Sequence, residues 1–366
     1  MFRTPDAMQK FAIQPLDDSA MEKARFRLDN LVKPPGSLGK LEDIAIRLAG
    51  ITGQLYCNTS KRCVIIICSD NGVVNEGVAA APQSVTFTQT LNFTRGITGA
   101  AVLAKLFNSD LIIVDAGVNA DIDHPHVKNK KIRKSTGNIA REAAMTYEEA
   151  LHAVLCGVET AIEAVNNGYR LIGAGEMGIG NTTTSAAVLS ALTGLPPEKT
   201  AGKGAGLSNK VFQKKIDVIR KALQHNNPAP NDPLDVLAKV GGLDIAALAG
   251  LFIGGAFMRV PVVIDGFISM TAALAAFRIM PAVRDYMFAS HLSAEPGYRY
   301  ASEALGMEPC LHLDMRLGEG SGCPLMFMLM DAASALIRDM GTFEEANIDE
   351  EYLKAVKDAD FHIRGL

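Results

Sequence analysis

Between residues 63 and 320 the chain repeats one pattern: a short β-branched run that stops at an aspartate or glycine, then an apolar stretch at helical spacing. The runs are CVIIICSDNG from Cys63, LIIVDAG from Leu111, RLIGAGEMG from Arg170, VPVVIDG from Val260 and a more polar one, PCLHLDMRLGEG, from Pro309. Strands that are apolar throughout, rather than alternating, are buried on both faces, and helices between them supply the cover. The pattern predicts an α/β fold: a large domain with a mostly parallel, Rossmann-like sheet flanked by helices. In such sheets ligands bind outside the carboxyl ends of the strands, where several of the glycine-rich segments fall.

The first sixty residues lack such runs. Met21, Ala24, Leu28 and Leu31, then Leu41, Ile44, Ala45 and Leu48, mark two helices, with Pro34-Pro35-Gly36 breaking the first and Ser37 placed to cap the second. From about residue 341 the sequence is again charged and helical. We therefore expect a small helical domain from both chain ends, residues 1–60 and 341–366, beside a catalytic α/β domain over 61–340. The segment HNNPAPNDP, 225–233, reads as a connection between two helices.

Of the 366 residues, 48% are hydrophobic and 21% charged, which suits a packed protein and excludes disorder as the general state. Thirty-six basic against 40 acidic residues leave a net charge of −4 and no basic field for nucleic acid or an anionic membrane. The six scattered cysteines form no CxxC pair, which points to a reducing cytoplasm. The first twenty residues lack the apolar core of a secretion signal, and the longest apolar stretch, Ile245 to Met258, is 14 residues with three glycines, too short for a bilayer. It reads as a buried helix. Met326, Phe327, Met328 and Met330 read as core positions of another.

Three segments carry candidate chemistry. Gly175 to Thr184, GEMGIGNTTT, follows a strand and opens a small-residue helix, so its backbone N–H groups and hydroxyls either cradle a phosphate or simply make a capped tight turn. Glu176 is its unusual member, since a carboxylate beside a phosphate needs another task. Gly202-Lys203-Gly204-Ala205-Gly206 precedes a helix with Lys214 and Lys215, where a lysine either neutralises a phosphate or lies on a solvated face. In Arg316 to Gly322, RLGEGSG, glycines on both sides of Glu319 allow its carboxylate close to a ligand, and partial desolvation would suit it to accepting a proton; a charged surface loop is the alternative. His124-Pro125-His126 has no companion ligand set and reads as a turn, so no metal is expected. Asp265 either orients a ligand or caps the following helix.

Taken in order, KPPGSLGKLE, SDNGVVNEGVAAAP, TRGITGAAVLA, GEMGIGNTTTSAA, VGGLDIAALAG, VVIDGFIS, SHLSAEPG and MRLGEGSG resemble the nicotinate-nucleotide:dimethylbenzimidazole phosphoribosyltransferase family over nearly the whole chain. That family activates the lower-ligand base in cobamide synthesis. The resemblance implies transfer of phosphoribose from nicotinate mononucleotide to an aromatic base, with inversion, giving an α-ribotide and nicotinate without metal or redox cofactor. It also implies a dimer with sites near the subunit interface. Glu319 matches the family's general base, and Glu176 the glutamate that stabilises charge on the ribosyl ring. By the same matches Gly178, Gly204, Gly266, Lys215 and Ser293 hold the 5′-phosphate, Gln89 contacts the acceptor, and Ala81, Asn181 and Leu317 belong to the substrate site.

The chain departs from the family where DHG is common and Asp70-Asn71-Gly72 stands here, and where a polar or larger residue often takes the place of Ala81 before Pro82. Such changes leave open a phenolic acceptor, as in phenol-activating relatives that work as pairs of paralogous subunits and make O-linked ribotides. A non-catalytic paralogue that supports a catalytic partner is a further alternative. A nucleotide-dependent oxidoreductase is disfavoured, because SDNGVVNEG, not GxGxxG, follows the first strand.

Overall fold

The computed structural model describes residues 11–348 and Glu351; the expected helical tail falls mostly outside these, as do the first ten residues. The described chain forms two compact units, one from residues 11–14 and 61–326, the other from 15–60 and 327–348.

In the first unit the described residues form one six-stranded sheet: β1 (Arg62–Ser69), β2 (Asp110–Gly117), β3 (Val127–Asn129), β4 (Leu171–Met177), β5 (Val262–Ile264) and β6 (Met287–Ala289). The spatial order is β3-β2-β1-β4-β5-β6, and every pairing is parallel. All eight residues of β1 are buried, as its unbroken apolar run requires of a central strand. Strand order reverses between β1 and β4, so the loops after those two strands diverge and leave a crevice at their carboxyl ends.

Two short strands, β3 and β6, escape the sequence pattern because three residues carry no readable period. Conversely, the run from Pro309 is no strand. Only Leu311 makes a bridge, to His291. His312 to Asp314 are exposed and Asp314 takes φ +53°, so this stretch has neither the burial nor the extended backbone that would add it to the sheet. The apolar stretch near Ile245 is the buried helix Leu243–Phe257, and the connection 225–233 joins helices Asn209–Asn226 and Pro233–Val240. In the helix Cys323–Asp339, Met326, Phe327 and Met330 are buried, while Met328 is 44% exposed and so is not a core position.

The second unit contains helices Asp18–Asp29 and Lys40–Thr52. Ser37 does not cap the latter, whose N-cap is Gly39. Glu42, inside the first turn, takes over: its carboxylate accepts the Leu38 N–H at 3.1 Å and pairs with buried Lys33 at 2.8 Å. Residues 341–343 pair with the end of the first helix, Val32 N donating to Gly341 O and Phe343 N to Asn30 O. Among the described residues no helix is long and apolar enough to cross a membrane.

Candidate active site

The carboxyl ends of β4, β5 and β6, with the segments 78–89 and 316–319, enclose a cavity of about 360 Å³. At its floor β4 ends in Glu176 and Met177. The chain then turns through Gly180, at φ +98°, into the helix Asn181–Thr193, whose residues Asn181 and Thr182 line the cavity. The loop bearing Glu319 lies against this strand, and two glycines make that possible. A Cβ on Gly175 would stand 2.8 Å from the Glu319 carbonyl oxygen, and one on Gly318 2.6 Å from Glu176 Oε1. The two glutamates, 143 positions apart in sequence (319 − 176), thus share one wall.

This wall is acidic and nearly dry. Glu319 is 6% exposed; its Oε1 accepts from Gln89 Nε2 at 2.7 Å and its Oε2 lies 3.5 Å from the Ala100 N–H. Glu176 Oε2 accepts from Asn181 Nδ2, and the same amide donates to Asp244 Oδ2 at 3.1 Å. Burial, then the neighbouring Asp244 and Asp265, push the Glu176 carboxyl up to about 8, against the Asn181 hydrogen bond. Burial likewise raises Asp244 to about 6 and Asp265 to about 7, partly offset by their hydrogen-bond donors. His291, also at the cavity, is lowered to about 4 by burial, so it is neutral near pH 7 and supplies no positive charge there.

The opposite end is built around a lysine. Lys215, fully buried in the helix Asn209–Asn226, donates to Thr182 Oγ1 at 2.8 Å and to the Gly202 carbonyl at 3.0 Å. Burial lowers it to about 8, and the nearby Glu295 acts the other way. Glu295 Oε1 accepts the Gly204 N–H at 2.9 Å, while its Oε2 is buried without a hydrogen-bond partner. Thr182 and Gly204 form the cavity surface in front of the ammonium group.

Of the residues singled out in the sequence, Glu176, Glu319, Gln89, Ala81 and Leu317 line the cavity. So do Gly178, Asn181, Gly204, Gly266 and Ser293. Lys215 does not; it stands one layer behind Thr182. Nor does Asn71, whose Oδ1 accepts from Thr184 Oγ1 at 3.3 Å beneath the cavity, so of the two departures from the family pattern only Ala81 is a lining change. Sequence reasoning passed over Asp244, Glu295 and His291. Asp244 did leave a signal: a carboxylate at the buried start of an otherwise apolar helix has to have a polar partner.

A family model described as phosphoribosyltransferase matches residues 13–348. The chain belongs to the phosphoribosyltransferase family. Within this family it is similar to the nicotinate-nucleotide-dimethylbenzimidazole phosphoribosyltransferase of Clostridium perfringens, at 53% identity over 351 residues, 96% of this chain and 97% of that one. The enzyme of the same name from Ruminiclostridium cellulolyticum is 52% identical over 93% of this chain and 96% of its own length. Among solved structures, CobT from Thermus thermophilus superposes with a TM-score of 0.87 at 42% identity, over 90% of this chain and 99% of that one. The phosphoribosyltransferase fold therefore extends over the described chain, with its sheet and crevice.

Proposed function

We propose that the chain transfers the phosphoribosyl group of nicotinate mononucleotide to dimethylbenzimidazole, with inversion at C1′, releasing nicotinate and an α-ribotide. The observation that carries this reading is the polarity of the cavity: two glutamates at one end, a buried lysine behind a glycine turn at the other, in a chain more than half identical to an enzyme named for that reaction.

Nicotinate leaves from the β face of the ribose while a ring nitrogen of the acceptor attacks from the opposite face, through an oxocarbenium-like state. As that nitrogen bonds to C1′, the other ring nitrogen loses its proton to Glu319. Gln89, donating to Glu319 Oε1, fixes which lone pairs face the acceptor, and Val78 to Ala81 with Val85 give that ring an apolar wall. Glu176 is held largely protonated by burial and, next, by its acidic neighbours; a pyridinium or oxocarbenium cation beside it draws the carboxyl back toward its ordinary range, and with its proton lost to solvent the anion stands where positive charge develops.

At the other end the backbone of Gly178, Gly204 and Gly266 with Ser293 receives the 5′-phosphate, and Lys215 supplies charge from behind Thr182. The Gly204 N–H is donated to Glu295, so a phosphate there displaces that carboxylate. The same reading includes a cytoplasmic location, supported by six free cysteines, and a dimer, supported by the exposed Ile97, Val102 and Leu106 around the helix Gly99–Leu106.

The test is a product assay with purified chain, nicotinate mononucleotide and dimethylbenzimidazole. Nicotinate and α-ribotide should form in equal amounts without a second polypeptide; nicotinate release with no ribotide, or a β product, would exclude direct displacement.

A further inference from the structure

The loop that carries Glu319 takes three left-handed residues in succession: Gly318 at φ +80°, Glu319 at +64° and Gly320 at +80°. Glycine adopts this conformation freely, but for a glutamate the Cβ crowds the backbone, so the loop needs an external hold to keep Glu319 there. That hold is Asp265, at the end of β5. Its Oδ2 accepts the N–H of Gly320 at 3.0 Å, and its Oδ1 accepts the N–H of Gly322 at 2.6 Å. The first of these bonds falls on the residue directly after Glu319. Asp265 is 1% exposed and does not line the cavity, so it is out of reach of a substrate.

The following helix, Phe267–Ile279, has Gly266 as its N-cap; the Asp265 carboxylate takes a backbone hydrogen bond from Gly266, and its stronger bonds run across to the loop, to Gly322 and Gly320. Among the described residues, the charged and titratable groups around it give no alternative partner of opposite sign. His291 Nδ1 stands 3.9 Å away on a ring that burial keeps neutral, and Glu319, Glu176, Tyr298 and Cys323 are acids. Beside the Gly266 N–H, the acceptor capacity of Asp265 is therefore directed to two backbone donors of the loop.

We propose that Asp265 is a positioning residue for Glu319, acting through the loop backbone to hold the glutamate in its left-handed conformation against Gln89. This rests on the reading of Glu319 as the general base. The experiment is a double-mutant cycle of Asp265→Asn and Glu319→Gln on steady-state kcat and KM, since an asparagine turns one acceptor oxygen into an N–H that faces another N–H. Asp265→Asn should lower kcat by roughly 10- to 100-fold, the cost of a misplaced reacting group, and change KM for nicotinate mononucleotide by less than about 3-fold. The double variant should be no slower than Glu319→Gln alone, because a residue that acts only through Glu319 has nothing left to act on.

Wild-type kcat in Asp265→Asn, or losses that multiply in the double variant, would overturn the proposal while leaving the base assignment standing. Wild-type kcat in Glu319→Gln would overturn both. A measurement on the wild-type chain covers the case in which Asp265→Asn fails to fold: backbone hydrogen exchange in a peptide spanning 318–323. Protection of Gly320 and Gly322 is the expected result, and exchange at the rate of an open loop is the contrary one.

Discussion

The two ends of the cavity meet the same physical problem, charge in a dry place, and resolve it with opposite signs. At the acidic end, burial raises Glu176, Asp244 and Asp265, and the neighbouring carboxylates reinforce the shift on Glu176. At the cationic end burial lowers Lys215, and Glu295 opposes the shift. The acidic end thus holds protons that leave to solvent when a cation arrives, whereas the cationic end holds a lysine whose charge an arriving phosphate reinforces. A ligand with a cationic ring at one end and a phosphate at the other fits this asymmetry in one orientation only.

The largest effect that sharpens the contrast belongs to Glu319. Glu319→Gln should lower kcat by roughly 10²- to 10⁴-fold, the usual worth of a general base, with KM for nicotinate mononucleotide within a few-fold of wild type. Steady-state kinetics on purified variant checks it; a loss that appears in KM alone would move Glu319 from the chemistry to binding.

Lys215→Met comes next and should show the converse split. Losing a buried, charged hydrogen-bond donor costs about 2 kcal/mol, equivalent to roughly a 30-fold higher KM for nicotinate mononucleotide, while KM for the acceptor stays put. If the acceptor KM rises equally, the two ends are not separate.

The smallest effect is on stability against pH. Glu176 binds its proton more tightly in the folded chain, at about 8 against an ordinary 4.5, so its contribution is greatest below about pH 4.5 and is lost as pH rises toward 8. Lys215, at about 8 against 10.5, runs the other way on a higher window: its contribution is greatest above 10.5 and is lost as pH falls toward 8. Glu176→Gln removes the first dependence. Its melting temperature should match wild type near pH 5 and exceed it by roughly 1–2 °C near pH 8.5, an amount that about 1 kcal/mol produces in a chain of this size. An equal gain at both pH values would show that packing, not ionisation, is responsible.

How much of this was legible in the sequence differs between the two ends. Glu319 and Glu176 announced themselves because each stands among glycines, and a carboxylate flanked by glycines has few structural uses. The long buried strands were equally plain, since CVIIIC has no polar face to expose. Lys215 was ambiguous. It sits beside Lys214 in a helix with many charges, and only the fold reveals that Lys215 is buried while Lys214 is exposed. Asp265 was legible as a strand-end aspartate, but its partners, Gly320 and Gly322, lie 55 and 57 residues further along the chain. No local pattern encodes such a pairing. Strands β3 and β6, three residues each, owe their form to pairing with a neighbour, which a single segment cannot display.

The polarity of the cavity is tested most directly by the crystal structure of the chain with nicotinate mononucleotide and dimethylbenzimidazole in the Glu319→Gln background. The predicted complex has the phosphate on the Gly204 N–H with Glu295 turned away, C1′ between the two glutamate positions, and an acceptor ring nitrogen within hydrogen-bond reach of residue 319. A phosphate bound beside Glu176, or an acceptor stacked at the Lys215 end, would contradict it.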